Sequence, residues 1–211
     1  MRIDSAALPF VLIAAIPAAL ASWLLTWPWA AGLLALPVAI ALFFRDPDRQ
    51  VPAARDLVLS PADGTVIHAG PARPLEAPAG TWLQITIFLS VLDVHINRTP
   101  VAGRVLGVRY VPGTFLAAFK TEAHKNEHSE ITLDHDGTSI VVRQVVGLLA
   151  RRVVCRVATG DDLTAGQRIG LMKFGSRMDV FLPTDATVTV AAGAKVRAGE
   201  TVIARLRAEE K

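Results

Sequence analysis

The chain has 211 residues, 52% of them hydrophobic and 19% charged, a balance that excludes a disordered or acidic tail protein. Its length suits one ordinary domain with an appendage rather than two full domains. The net charge of +3 includes no basic cluster of the kind nucleic acid requires and suits an anionic membrane surface. A single cysteine, Cys155, excludes an internal disulfide and fits a reducing compartment.

The apolar excess is concentrated at the start. Forty consecutive residues, 5–44, contain no Asp, Glu, Lys, Arg, His, Asn or Gln. One straight helix of that length would run about 60 Å, roughly twice the hydrocarbon thickness. The segment is therefore expected to turn at Trp27-Pro28-Trp29 and form two short helices, 6–26 and 30–44, in a tilted or re-entrant hairpin. Arg2 precedes this hairpin and Arg45 and Arg49 follow it, which places both ends on the cytoplasmic side. Ala19-Leu20-Ala21 matches a leader-cleavage site, but Asp4 cancels Arg2 and a second apolar run follows at once.

Arg45-Asp46-Pro47-Asp48-Arg49 is the charged exit, which divides a hairpin segment, 1–49, from a body, 50–211. Short β-rich runs then alternate with turn signals: 57–59, 65–67, 82–89, 105–111, 140–146, 153–157, 187–190 and 201–206. Only 115–130 reads as helical. The fold class is mainly β (α+β), a sandwich or barrel, and the paired glycines of 193–204 resemble half of a biotinyl/lipoyl-type sandwich. A membrane-tethered adaptor on such a scaffold is one alternative reading. The carrier function itself is not expected, because no Met-Lys pair sits at a hairpin tip.

Three constellations carry chemistry. His124-Lys125-Asn126-Glu127-His128 fits H-x-x-E-H; on a helix its two histidines would share a face and bind zinc, as in a membrane-anchored peptidase, although no third ligand is evident. Asp63, Asp93, His95 and Ser176 are the pieces of a hydrolase triad, without a G-x-S-x-G elbow. Phe174-Gly175-Ser176, leading into an apolar strand, allows a third chemistry. Glycine leaves its carbonyl open to the following serine hydroxyl, which shifts the chain from amide to ester; β-elimination then splits it and leaves a pyruvoyl group.

Pro61-Ala62-Asp63-Gly64, Phe88 through Pro100, Tyr110-Val111-Pro112-Gly113, Asn126-Glu127 and Phe174-Gly175-Ser176 occur in one order along the body. Together they resemble the phosphatidylserine decarboxylase family in its compact bacterial form. The resemblance implies cleavage between Gly175 and Ser176 into a β chain, 1–175, and an α chain, 176–211, which stay associated. The α chain is headed by a pyruvoyl cofactor that forms a Schiff base with phosphatidylserine and acts as the electron sink, with no metal. It further implies His95 as the proton donor, Asp63 as the aspartate needed for self-cleavage, and Asn126, Glu127, His128 and Arg98 as candidates to line the site. In longer family members a second histidine stands where this chain has Arg98, and arginine does not act as a base at ordinary pH. Either His95 serves both steps or a group such as His128 takes the base role. A homo-oligomer on the cytoplasmic face of the cell membrane is expected, with no nucleic-acid partner.

Overall fold

The structure, a computed structural model, describes residues 1–24, 31–148, 153–173 and 176–207. The turn expected at Trp27-Pro28-Trp29, and Phe174 and Gly175, lie outside them. The chain divides into two compact units, Met1–Asp48 and Arg49–Lys211.

In the first unit a short strand β1 (Arg2–Ile3) and a 3-10 turn lead into α1 (Leu8–Leu24); α2 (Ala35–Phe43) returns to β2 (Arg45–Asp46), which pairs antiparallel with β1. Asp4 starts the helical segment, its Oδ1 accepting the Ala6 N–H at 2.9 Å while its own N–H donates to the Phe44 carbonyl at 3.0 Å. Phe10 stacks on Phe44 with ring centroids 5.7 Å apart. The two helices pack together, and the buried residues of α1 are the small ones, Ala14, Ala18 and Ala21. Its large side chains, Leu12, Ile13, Ile16, Leu20 and Trp23, point outward. That inside-out pattern suits lipid, where close helix approach rather than water exclusion drives packing. Residues Ser5–Leu24 form a helix long and apolar enough to cross a membrane.

The second unit is built of strands: β3 (Leu57–Leu59), β4 (Gly64–Pro71), β5 (Leu83–Leu89), β6 (Ile96–Arg98), β7 (Gly103–Val111), β8 (His128–His135) and β9 (Thr138–Val145). They continue with β10 (Val153–Cys155), β11 (Asp162–Leu163), β12 (Arg168–Met172), β13 (Ser176–Leu182), β14 (Thr187–Val188), β15 (Lys195–Val196) and β16 (Val202–Arg205). Eight of them form one curled sheet in the order β11-β7-β8-β9-β13-β5-β4-β15, accompanied by three-stranded sheets β10-β12-β6 and β14-β16-β3. The body is mainly β, as its alternating runs require.

Alternation along each strand separates two faces of the large sheet. Ile85, Ile87, Leu89, Ile131, Leu133, Val142, Met178 and Val180 face the hydrophobic core. The opposite face is polar yet buried around β13. Arg177 Nε donates to Asp179 Oδ1 at 2.8 Å, Arg177 also pairs with Glu76, and Thr86 Oγ1 donates to Asp179 Oδ1 at 2.8 Å.

The helix expected over 115–130 is not there. A single 3-10 turn, Thr121–Lys125, precedes β8, whose Ile131 and Leu133 alternate with polar residues. Tertiary contacts override the local helix preference. Gly113 lies so close to the Lys125 carbonyl and the Asn126 backbone that no Cβ fits between them. The Asn126 side chain accepts from Thr114 Oγ1 and Leu116 N and donates to the carbonyls of Leu116 and Val146, which pins the loop open.

Candidate active site

Ser176 opens β13, which is hydrogen-bonded on both sides. It pairs with Leu89 of β5, and the next residue, Arg177, pairs with Phe88 of β5 and Val145 of β9. This register puts the Ser176 side chain on the core face beside Leu89. Its Oγ is buried and has no hydrogen-bond partner among the described residues.

Two further unpaired polar atoms lie on the same side. Gln144 pairs with Met178, two residues along β13 from Ser176, and its Nε2 donates to Asn97 Oδ1 of β6 at 2.8 Å. Asn97 Nδ2 and Gln144 Oε1 remain buried without partners among the described residues. Each such atom costs about 1–3 kcal/mol, so three in one region call for a functional reason.

His95 enters from the facing sheet, immediately before β6. Its backbone carbonyl accepts the Met172 N–H at 3.2 Å, four residues before Ser176 in the chain. Its Nδ1 lies 2.9 Å from the Asp93 carbonyl oxygen, which can only accept, so Nδ1 carries the proton and the neutral ring keeps its lone pair on Nε2. The turn between β5 and His95 is fixed by Asp93, whose Oδ2 accepts from Ser90 N at 2.8 Å and Ser90 Oγ at 2.7 Å. Asp93 thus caps a turn instead of pairing with a histidine.

Asp63 ends the turn before β4. Arg49 Nη2 lies 2.9 Å from both of its oxygens, and the Ala198 N–H donates to Oδ1 at 2.8 Å. Ala198 is positioned by Gly199, whose φ of +73° suits glycine and whose N–H donates to the Ser60 carbonyl at 2.8 Å. Arg98 braces the same corner: its backbone N–H donates to the Pro61 carbonyl at 2.9 Å and its Nη1 to the Gly166 carbonyl at 3.0 Å.

His128 is elsewhere. It pairs with Val145, and Val145 with Arg177, so its side chain shares the outer face with Arg177 and not the face of Ser176. Its Nδ1 is 2.9 Å from the Asn126 carbonyl. Burial lowers its pKa, and Arg143 adds to this against the opposing pull of that carbonyl, Glu130 and Asp179. His124 sits in the 3-10 turn and His128 in a strand, so the shared helix face required by the zinc reading is not formed. Glu127 instead hydrogen-bonds Tyr110 and raises its pKa.

The phosphatidylserine decarboxylase family profile matches residues 38–204. The chain belongs to the phosphatidylserine decarboxylase family. It is 41% identical over 206 residues to the phosphatidylserine decarboxylase proenzyme of Solibacter usitatus, covering 97% of each chain. It is 49% identical over 185 residues to that of Symbiobacterium thermophilum (85% of each) and 44% identical over 202 residues to that of Geobacter sulfurreducens (92% of each). These relatives are named as proenzymes, so the family's enzymes are made by processing a precursor.

Sequence reasoning singled out Ser176, His95 and Asp63, with Arg98, Asn126, Glu127 and His128 as lining candidates, but not Asn97, Arg49, Glu76 or Gln144. Asn97 stands inside the His95-Ile96-Asn97-Arg98 stretch and was within reach of a pattern reading. Arg49, Glu76 and Gln144 carry no local signal, because each reaches its partner across the fold.

Proposed function

We propose that the chain is a membrane-associated, self-processing enzyme that decarboxylates phosphatidylserine to phosphatidylethanolamine. It cuts itself between Gly175 and Ser176 into a β chain, 1–175, and an α chain, 176–211, headed by a pyruvoyl group. One observation carries the reading: in a chain of this family, the serine at the expected cut is buried, without a hydrogen-bond partner among the described residues, and held at the head of a strand clamped on both sides. A structural serine would be hydrogen-bonded there.

The orphaned Ser176 Oγ suits conversion to a pyruvoyl group, since no existing contact is lost when the hydroxyl is consumed. Its oxygen adds to the Gly175 carbonyl carbon, and the peptide C–N bond gives way to an ester. Loss of the Ser176 α-proton then expels the Gly175 carboxylate, and the nitrogen leaves as ammonia as water adds. A pyruvoyl group at this position supplies a ketone conjugated to an amide, an electron sink for the pair released as carbon dioxide departs. His95 Nε2 takes the Ser176 hydroxyl proton during maturation and gives a proton to the substrate α-carbon during turnover. This single-histidine assignment rests on the sheet register, which turns His128 away from Ser176, and on the place of His95 two residues before Asn97, whose side chain meets Gln144 on the serine's face.

Asp63 acts as an anchor. Its contact with Ala198 ties the β-chain turn to the α-chain segment, and Arg49 fixes its charge. After cleavage the chains stay together because β13 remains between β5 and β9, with Arg177 and Asp179 paired to Glu76 and Thr86. The outward apolar side chains of α1 support membrane association, and Arg2 and Arg45, which flank the apolar segment, favour the cytoplasmic face for the body.

The test uses the purified full chain with phosphatidylserine labelled at the serine carboxyl in mixed vesicles. Labelled carbon dioxide and a matching amount of phosphatidylethanolamine are expected from the unaltered chain, and neither from Ser176→Ala. Undiminished release by Ser176→Ala would remove the reading.

A further inference from the structure

We propose that the body carries a second membrane-contacting surface of its own, an apolar rim around the Ser176 end of the sheet that dips into a phosphatidylserine-containing bilayer. The register defines that end. The C-terminal end of β5 (Leu89) meets the start of β13 (Ser176), and the C-terminal end of β9 (Val145) meets Arg177 and the start of β8 (His128), which meets the end of β7 (Val111). The loops leaving these ends are those after β5, after β7 and after β9. All three therefore gather where the reactive serine lies.

The loop after β7 is fastened both to strand β5 and to the loop after β9. Phe119, from the loop after β7, packs edge-on against Phe88 of β5 with ring centroids 5.9 Å apart. Asn126 Nδ2 donates to the Val146 carbonyl at 2.9 Å, which joins the same loop to the one after β9. Each loop presents large apolar side chains to solvent: Val91 and Leu92 (83% exposed) after β5, Phe119 (62%) after β7, and Leu148 (60%) after β9. Tyr110, at the end of β7, adds an exposed aromatic with a polar tip, the residue type that favours a membrane interface.

Single exposed apolar residues need no explanation; residues from three connected loops around one site do. The occupant follows from the substrate, so this inference rests on the proposed reaction. A lipid with two acyl chains leaves the bilayer only at great cost, so the mouth of its site must meet the membrane surface. The exposed charges among these loops are compatible with an anionic surface: Lys120 and Lys125 flank the rim against Glu122. The apolar rim is thus a docking surface distinct from α1, one that orients the site and does not merely tether it.

The experiment uses the full chain reconstituted into vesicles of phosphatidylcholine and phosphatidylserine. In a Cys155→Ser background, Leu92→Cys, Phe119→Cys and Leu148→Cys are each labelled with an environment-sensitive fluorophore and quenched by lipids spin-labelled near the headgroup. Leu75→Cys is the control: Leu75 is 82% exposed, but it lies in the loop between β4 and β5 at the opposite end of the sheet. Quenching at least threefold stronger at the three rim positions than at Leu75 is expected. Equal quenching at rim and control overturns the proposal, and so does quenching at the rim of no more than one loop. The readout needs no turnover. A quenched rim in a chain that releases no carbon dioxide would keep the docking surface and remove the reaction.

Discussion

Arg49 holds Asp63 with one guanidinium nitrogen set 2.9 Å from each carboxylate oxygen, while the third contact to that carboxylate comes from the Ala198 N–H. Asp63 is therefore engaged in joining two segments that self-cleavage would place on different chains. Asp63→Asn keeps an acceptor for Ala198 but loses the charge that Arg49 grips, and Arg49→Ala removes the grip. Charge-assisted hydrogen bonds are worth about 1.5–3 kcal/mol, so both variants should slow maturation by roughly 10- to 100-fold. Band intensities of precursor and fragments over time after synthesis measure this. Cleavage at the unaltered rate in both would show that Asp63 has no part in maturation.

The two histidines separate cleanly in the fold. His95→Ala should leave the chain uncut if the same Nε2 serves maturation and turnover, as proposed. His128→Ala should still cut at Gly175–Ser176, since its side chain lies on the other face of the sheet from Ser176. Denaturing gels of the two variants side by side check this. A His95→Ala chain that cuts normally, or a His128→Ala chain that does not cut, reverses the assignment. If His95→Ala were cut, its decarboxylation should still fall by about 10²–10⁴-fold, the range for one general acid.

The outer face predicts the acid sensitivity of the body. The His128 pKa is lowered in the folded chain, chiefly by burial, so the unfolded chain binds the proton more readily. Stability is then complete above the unfolded value of about 6.5 and falls as pH drops from there through the folded value. Glu130 extends the loss. Burial would raise its carboxyl, but Arg143 and Arg109 more than offset this and hold it below the usual range, so its contribution disappears below about 4.5. Urea midpoints measured between pH 4 and pH 8 should show both declines, and His128→Asn should abolish the upper one only. A midpoint unchanged between pH 7 and pH 5 contradicts this.

Arg177 supplies an energetic test. Burial pulls its pKa down, yet Asp179 and Glu76 more than compensate and keep it raised, so the charge persists in the interior. Glu76→Ala leaves that guanidinium short of a partner and should cost about 3–5 kcal/mol, the usual penalty for breaking a buried pair. In cleaved protein the same change should release the 176–211 fragment at lower urea, as read by size exclusion. An unaltered urea midpoint would mean that the pair is not a clamp.

How far the sequence could be read depended on the range of the interactions involved. The strands 57–59, 82–89 and 105–111 were legible because alternation and turn residues are local, and observed boundaries differ by at most two residues. The stretch 115–130 misled because Ala117, Ala118, Glu122 and Ala123 favour a helix, while the forces that hold it open come from Gly113, Thr114 and Val146. The strand signal in His128–His135 was present in its alternation but was read inside a helix frame. Ser176 and His95 stood out as candidates through motif order. Which side of the sheet each faces was not legible, because that depends on register between strands far apart in the chain.

The measurement that bears most directly on the central claim is the intact mass of the purified, unaltered chain. Self-cleavage at Gly175–Ser176 predicts two polypeptides of 175 and 36 residues, the lengths of 1–175 and 176–211. The smaller should carry a ketone in place of its amino terminus and resist Edman degradation. A single species at the mass of all 211 residues, from a preparation that decarboxylates phosphatidylserine, would contradict the account.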